Sequence, residues 1–292
     1  MIRFVGLRLL MAVPTLVLVT LAVFVMMRLV PSDPASVMLG EQVTGEMVAR
    51  VRQSMGLDQP LPRQYLLWIG DLLQGDLGRS ISNNQPVLPT ILDRFRISAP
   101  IVIVAVTLAA LIAVPLGLLT AWRQGSACDV STVATSTLLP SLPSFWLGLM
   151  ILLVFGLKLG WFPVLGMVGA IGGGWAVLSA IAMPVLTLLL IEIGAILQMT
   201  RPSAVEVLRQ DYITHARAKG LSEAVVLRRH AFPDAFAPTW TLIDLILGAL
   251  LGGIAVVETV FTIPGLGRLP VQAIFERDYP VVQGCILLIA LT

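Results

Sequence analysis

Residues 9–27 contain no ionisable side chain and are bordered by Arg8 and Arg28. That run constrains the fold more than any other feature, because in hydrocarbon every backbone N–H and C=O must be satisfied within the segment, as a helix does. It is long enough for one crossing. A cleaved leader has an apolar core of only about 7–15 residues before a small-residue cleavage site, so the run reads as a retained first membrane helix. Charge-free stretches recur at residues 97–122 and 130–157. A fourth, residues 175–200, encloses Glu192; a fifth, residues 238–262, encloses Asp244 and has Glu258 near its end. A sixth opens near Val281 and reaches Thr292 before it is long enough to span. With 57% apolar and 12% charged residues, against roughly a quarter charged in soluble domains, the expected fold is an all-α integral membrane protein of six transmembrane helices, the sixth incomplete.

Basic residues in short connections set the orientation. Arg3 and Arg8 precede the first run, Arg123 follows the second, and Arg201, Arg209, Arg217, Lys219, Arg228 and Arg229 follow the fourth. The N-terminus and residues 201–237 are therefore expected in the cytoplasm. Residues 31–96 carry six arginines against seven acids, but long loops cross largely regardless of charge, so this segment is placed outside. The chain then divides into a tip and first helix (1–30), an extracytoplasmic loop (31–96) and a transmembrane domain (97–292).

Within the outer loop, Thr44 can cap a short helix through Met55 that stops at Gly56. YLLWIGDLL, residues 65–73, puts Leu66, Ile69 and Leu73 on one stripe with Tyr65 and Trp68 beside it, the pattern of a helix lying on the outer membrane surface.

The most polar stretch is YITHARAKGLSEAVVLRRH, residues 212–230. Ser203 followed by Glu206 fits a capping box, and Pro202 before it predicts a fresh helix start. Val205, Leu208, Ile213 and Ala216 form an apolar stripe. Gly220 permits the positive φ that ends a helix, and Ser222 can cap the next one, expected to run toward Phe232 before Pro233. Spacing alone fits a docking elbow or an ordinary wet, amphipathic loop.

Other chemistries find little support. The basic residues are clustered between apolar runs rather than along one face that could follow nucleic acid. The two cysteines, Cys128 and Cys285, lie far apart and read as small buried apolar residues. His215 and His230 have no cysteine or paired carboxylate beside them to complete a metal site. A nucleotide-binding P-loop needs GxxxxGK and a hydroxyl residue, and the two lysines, Lys158 and Lys219, follow no such loop.

Glu192, Asp244 and Glu258 are costly inside a membrane, about 2.5 kcal/mol or more each if ionised. They are expected to face the bundle interior or a water-filled path, as part of a translocation pathway or gate, or as hydrogen-bonding partners of neighbouring helices. Gly248 and Gly252, with Gly253 adjacent, form a GxxxG pair suited to close helix packing, in this chain or against a second subunit.

DYITHARAKGLSEAVVLRRHAFPDAFAP, residues 211–238, closely resembles the cytoplasmic signature loop of ABC-importer permeases, specifically the dipeptide and oligopeptide family. VPSDPA (30–35), MGLDQPLPRQY (55–65), GDLGRS (75–80), VVETVFTIPGLGRL (256–269) and RDYPVVQG (277–284) extend the resemblance in family order. It implies a multi-pass permease of the cytoplasmic membrane, with no catalytic residues and no cofactor of its own. ATP and Mg would be bound by two partner ATPase subunits; a second, homologous permease and an extracytoplasmic peptide-binding protein would complete the machine. Thr214, His215, Ala216, Arg217, Ala218, Lys219, Gly220, Leu221, Ser222 and Glu223 would form the coupling loop, with Ala216 and Gly220 at the motif's small-residue and glycine positions. Thr214 stands where the general importer pattern has glutamate, and His230 where it has isoleucine. Two alternatives stay open: a same-family importer of nickel or another small solute, and a secondary transporter in which the three carboxyls relay protons.

Overall fold

The computed structural model describes residues 2–29, 53, 58–164 and 174–291. The expected helix from Thr44 to Gly56 lies outside the described residues. No strand ladder occurs among the described residues; the one β-bridge joins Arg79 and Pro86. The protein is all-α, and its helices group into two units, the described parts of Met1–Ile97 with Gly265–Thr292, and Ser98–Pro264.

The first unit contains α1 (Ile2–Leu29), α2 (Leu61–Leu73), the first turns of α3 (Val87–Trp122), α11 (Arg268–Phe275) and α12 (Tyr279–Leu291). Val87, Ile91, Val282 and Cys285 are buried together. α12 comes close because residue 284 is glycine: a Cβ there would lie 2.7 Å from Ile91 Cδ1. On α2 it is the aromatic side that packs, Tyr65 edge-on to Phe24 of α1 with centroids 5.4 Å apart and its hydroxyl 2.9 Å from Thr20 Oγ1. Leu66 and Leu73 are exposed. The loop ahead of α3 is fastened by buried Asp278, whose carboxylate accepts from Ser80 Oγ (2.5 Å), Ser82 Oγ (3.2 Å) and the Ile81 amide (3.1 Å).

The second unit holds the rest of α3, then α4 (Ala127–Ser141), α5 (Ser144–Ile151) with a π-helical turn (Leu152–Lys158), α6 (Gly174–Leu208), α7 (Asp211–Ala218), α8 (Glu223–Val225), a second π-helical turn (Val226–Ala231), α9 (Phe232–Gly253) and α10 (Ala255–Val260). α6 is its axis, packed on α4 and α9. Small residues set the approach distances, as in lipid-embedded bundles generally. A Cβ on Gly194 would fall 2.5 Å from Pro140 Cδ of α4, and one on Gly117 of α3 would fall 2.9 Å from Thr200.

Among the described residues three helices, Val87–Trp122, Gly174–Leu208 and Glu223–Gly253, are long and apolar enough to cross a membrane, four if α4 and Ser144–Lys158 count as one bent span; Val13–Met26 and Tyr279–Leu291 are shorter apolar helices. Several expectations need correction. The stretch expected as one tilted span at residues 130–157 bends by 100° between Ser141 and Ser144. Pro143 forces Leu142 out of the helical region, to φ −79, ψ 130. No new helix starts at Ser203. α6 runs through Pro202 to Leu208, and Ser203 Oγ donates back to Met199 O at 2.9 Å, so the capping box does not form. Gly220 does stop α7, with φ +78. Ser222 stands at the start of α8 but its side chain makes no capping bond, and the helix does not end before Pro233; it widens into the π turn and continues as α9, where proline sits in the first turn and its missing N–H costs little. The fifth span breaks at Ile254 after Gly252 and Gly253. Cys285 is buried, but Cys128 is exposed.

Candidate functional site

The polar elbow is α7, Gly220 and α8. Its inner side is apolar: Ile213 and Ala216 are buried against Val226 and Ala231 of the second π turn, with Val207 and Leu208 from the end of α6 packed on them. Ala216 therefore serves the base of the elbow rather than its surface. Thr214, His215, Arg217, Ala218, Lys219, Gly220, Leu221 and Ser222 are exposed and Glu223 is half-buried, so together these nine form a lip around the turn. At Gly220 a Cβ would meet nothing within 4 Å. Glycine is required there by its positive φ, and the space above it is open.

Two contacts brace the elbow. Arg217 donates to Glu223 through Nε (2.9 Å) and Nη2 (3.2 Å), holding the two arms together across Gly220. Both side chains are more than a third exposed, which limits such a pair to about 0–1 kcal/mol. Tyr212 donates its hydroxyl to Asp234 Oδ2 at 2.6 Å, linking α7 to the first turn of α9. Partial burial, reinforced by the Asp234 carboxylate, pushes the Tyr212 phenol up to about 12, so it stays a donor across the physiological range. His230 Nδ1 is enclosed without a hydrogen-bond partner, at the position where the sequence departs from the importer pattern.

The three membrane carboxyls have three different environments. Glu192 of α6 is 8% exposed and Glu258 of α10 is fully buried; Ser98 Oγ of α3 donates to Glu258 Oε1. Asp244 of α9 is exposed on the chain's surface. It lies one turn from Gly248, on the side of α9 away from Thr239, which meets Thr200 of α6 at 3.1 Å. Gly252 and Gly253 are exposed, and a Cβ on Gly253 would meet nothing within 4 Å. Among the described residues, no neighbour reaches the Gly253 end of the GxxxG face.

Sequence reasoning missed the two-point ion pair between Arg201 near the end of α6 and Asp129 in the first turn of α4. Nε–Oδ1 is 2.5 Å and Nη2–Oδ2 is 2.9 Å, while Asp129 Oδ2 also accepts from the Gly125 amide at 2.9 Å. Arg201 is visible in the sequence as a positive-inside signal; its partner lies 72 positions away, beyond any helical periodicity. Among the described residues no group of three His, Cys, Asp or Glu side chains converges as a metal site would.

The chain matches the family described as binding-protein-dependent transport system inner membrane component over residues 113–292, and that family's N-terminal region over residues 1–104. It is 38% identical to a putative peptide transport system permease protein of Brucella suis, over 94% of this chain and 88% of the relative. It is 35% identical to a dipeptide transport system permease protein of Alkalihalophilus pseudofirmus, over 97% of this chain and 91% of the relative. A glutathione transport system permease protein of Pectobacterium atrosepticum is 38% identical, over 97% and 90%.

Proposed function

This chain belongs to the binding-protein-dependent transport system inner membrane component family, and from that premise we propose that it is one permease subunit of an ATP-driven importer of short peptides. It is an integral membrane transport subunit rather than an enzyme. The cargo assignment rests on one observation: relatives named for peptide, dipeptide and glutathione transport align with nearly the whole chain at 35–38% identity. Glutathione is itself a tripeptide, so those names share one cargo chemistry.

The partners are a second, homologous permease, two ATPase subunits that hold ATP and Mg, and an extracytoplasmic binding protein that delivers the peptide. On the six spans expected from the sequence, with both termini in the cytoplasm, the elbow faces the ATPase side and residues 31–96 the delivery side. The exposed lip around Gly220 is the ATPase contact. Its displacement passes to α6 and α9 because its base is one packed cluster with the end of α6 and the π turn before α9, tied as well through Tyr212 and Asp234. ATP can then shift the helices between outward and inward states only insofar as the ATPase pair binds the elbows differently in the two.

Reconstitution tests the reading. Vesicles holding the chain with its partners should accumulate a labelled dipeptide only when ATP and the binding protein are supplied. Accumulation driven by a pH gradient, with no ATPase present, would sink it.

A further inference from the structure

We propose that the groove between α3 and α9 is a binding site for one anionic phospholipid, its acyl chain lying in the groove and its phosphate held by Arg228. The groove holds about 380 Å³, lined on one side by Ala110, Val114 and Pro115 of α3 and on the other by Phe236 and Trp240 of α9. A second cavity of about 560 Å³ continues from it through Val114, Pro115 and Phe232 to Arg228. The two share those three residues, so the lining passes without a break from apolar to cationic.

Phe232 stacks on Phe236 with centroids 5.1 Å apart, Phe236 meets Trp240 at a tilt with centroids 5.8 Å apart, and Trp240 is 62% exposed. From Phe232 to Leu247 the wall rises about 22 Å at 1.5 Å per residue, comparable with one leaflet, half of a core about 30 Å thick plus its headgroup layer. A single acyl chain, extended along that length, is narrow enough to lie in the groove. Arg228 is exposed and makes no ion pair among the described residues, so its charge is available at the end of the groove where a phosphate would sit. The site's chemistry is the pairing of a basic residue with an intramembrane groove that favours acidic headgroups.

Native mass spectrometry of the purified, delipidated full chain would test this. Phosphatidylglycerol and phosphatidylethanolamine with identical acyl chains are titrated in parallel, with inorganic phosphate alone as a third arm. The expected result is one tightly retained phosphatidylglycerol, preferred about fivefold, the worth of one basic residue near an anionic headgroup, and no retained phosphate. Arg228→Gln should abolish the preference, Arg228→Lys should keep it, and Ala110→Phe, which fills the groove, should weaken both lipids. A preference unchanged in Arg228→Gln, or lipid retention unchanged in Ala110→Phe, overturns the proposal. If Ala110→Phe does not insert, quenching of fluorescence by acyl-brominated phosphatidylglycerol reads the same site, and equal quenching of the wild type and Trp240→Phe overturns it. Loss of the lipid on assembly with the second permease, together with a block of that assembly by Trp240→Ala, would instead make the groove a subunit interface and also overturn it.

Discussion

Asp129 and Arg201 meet through two parallel hydrogen bonds, at 2.5 and 2.9 Å, and so close the first turn of α4 on the last turns of α6. Asp129 is 4% exposed and the Arg201 side chain 28%, so water does little to screen the pair. Removing one partner of a buried pair costs more than removing both, because it strands a charge. Arg201→Ala should lower stability by about 3 kcal/mol, whereas Asp129→Ala with Arg201→Ala should lose less than the sum of the singles by about 1–3 kcal/mol. Thermal unfolding of the four proteins in one detergent measures it; additive losses would show that the pair contributes nothing beyond its separate side chains.

At Gly194 α6 lies so near α4 that a Cβ would fall 2.5 Å from Pro140 Cδ and 3.0 Å from Ser136 O. Neither neighbour is the far end of a flexible side chain. Gly194→Ala should therefore push α4 from α6 and cost about 1–3 kcal/mol as overpacking, despite alanine's better helix propensity. It should also weaken the bond from Gln198 Nε2 to Ser136 O, now 2.6 Å. Gly70→Ala is the control, since nothing lies within 4 Å of its Cβ position; a Gly194→Ala protein as stable as that control would contradict the account.

These contacts show where the sequence was and was not sufficient. The helical class, the long apolar elements and the glycine stop at residue 220 follow from local rules: charge-free length, periodicity and the positive φ that L-residues resist. What failed was also local in kind but decided elsewhere. Ser203 and Pro202 look like a helix start, yet tertiary packing on α4 and α9 carries α6 straight through them. Leu142 bends the third span because two prolines flank it within four residues, a signal present in PSLP, residues 140–143, and outweighed by the apolar run around it. Ala216 sits in the motif among the coupling-loop residues, yet the apolar stripe already set it beside Ile213; what the fold adds is the partner across the turn, Val226. Pairings such as Asp129 with Arg201, Ser98 with Glu258 and Ser80 with Asp278 join residues 72, 160 and 198 positions apart, where no spacing rule reaches.

Gly220 separates folding from coupling. Its φ of +78 means that any side chain costs about 1 kcal/mol of backbone strain, and the open space above it means that size adds nothing further within this chain. Gly220→Ala and Gly220→Trp should thus insert alike and lose similar stability in detergent. In the assembled importer they should diverge, with alanine retaining most ATP-dependent uptake and tryptophan losing it while ATP hydrolysis persists or the ATPase dissociates. Equal uptake by both variants would mean that the lip is not the ATPase contact.

The membrane carboxyls discriminate the importer from a proton-driven carrier. A relay needs groups that exchange protons in sequence, yet Glu258 is fully buried and bonded by Ser98, while Asp244 stands exposed on the outer side of α9. On the proposed coupling through the elbow, Asp244→Asn and Glu258→Gln should leave uptake dependent on ATP and insensitive to a protonophore. Asp244→Asn should change the stability of the isolated chain by less than about 0.5 kcal/mol, as exposed substitutions do. Ser98→Ala removes a donor from a buried carboxyl and should cost about 1–3 kcal/mol, a loss that Ser98→Thr should largely restore. Uptake in proteoliposomes, with and without protonophore, reads the first outcome. Collapse of ATP-supported uptake by the protonophore in the wild type, abolished in Asp244→Asn, would instead establish proton coupling through α9.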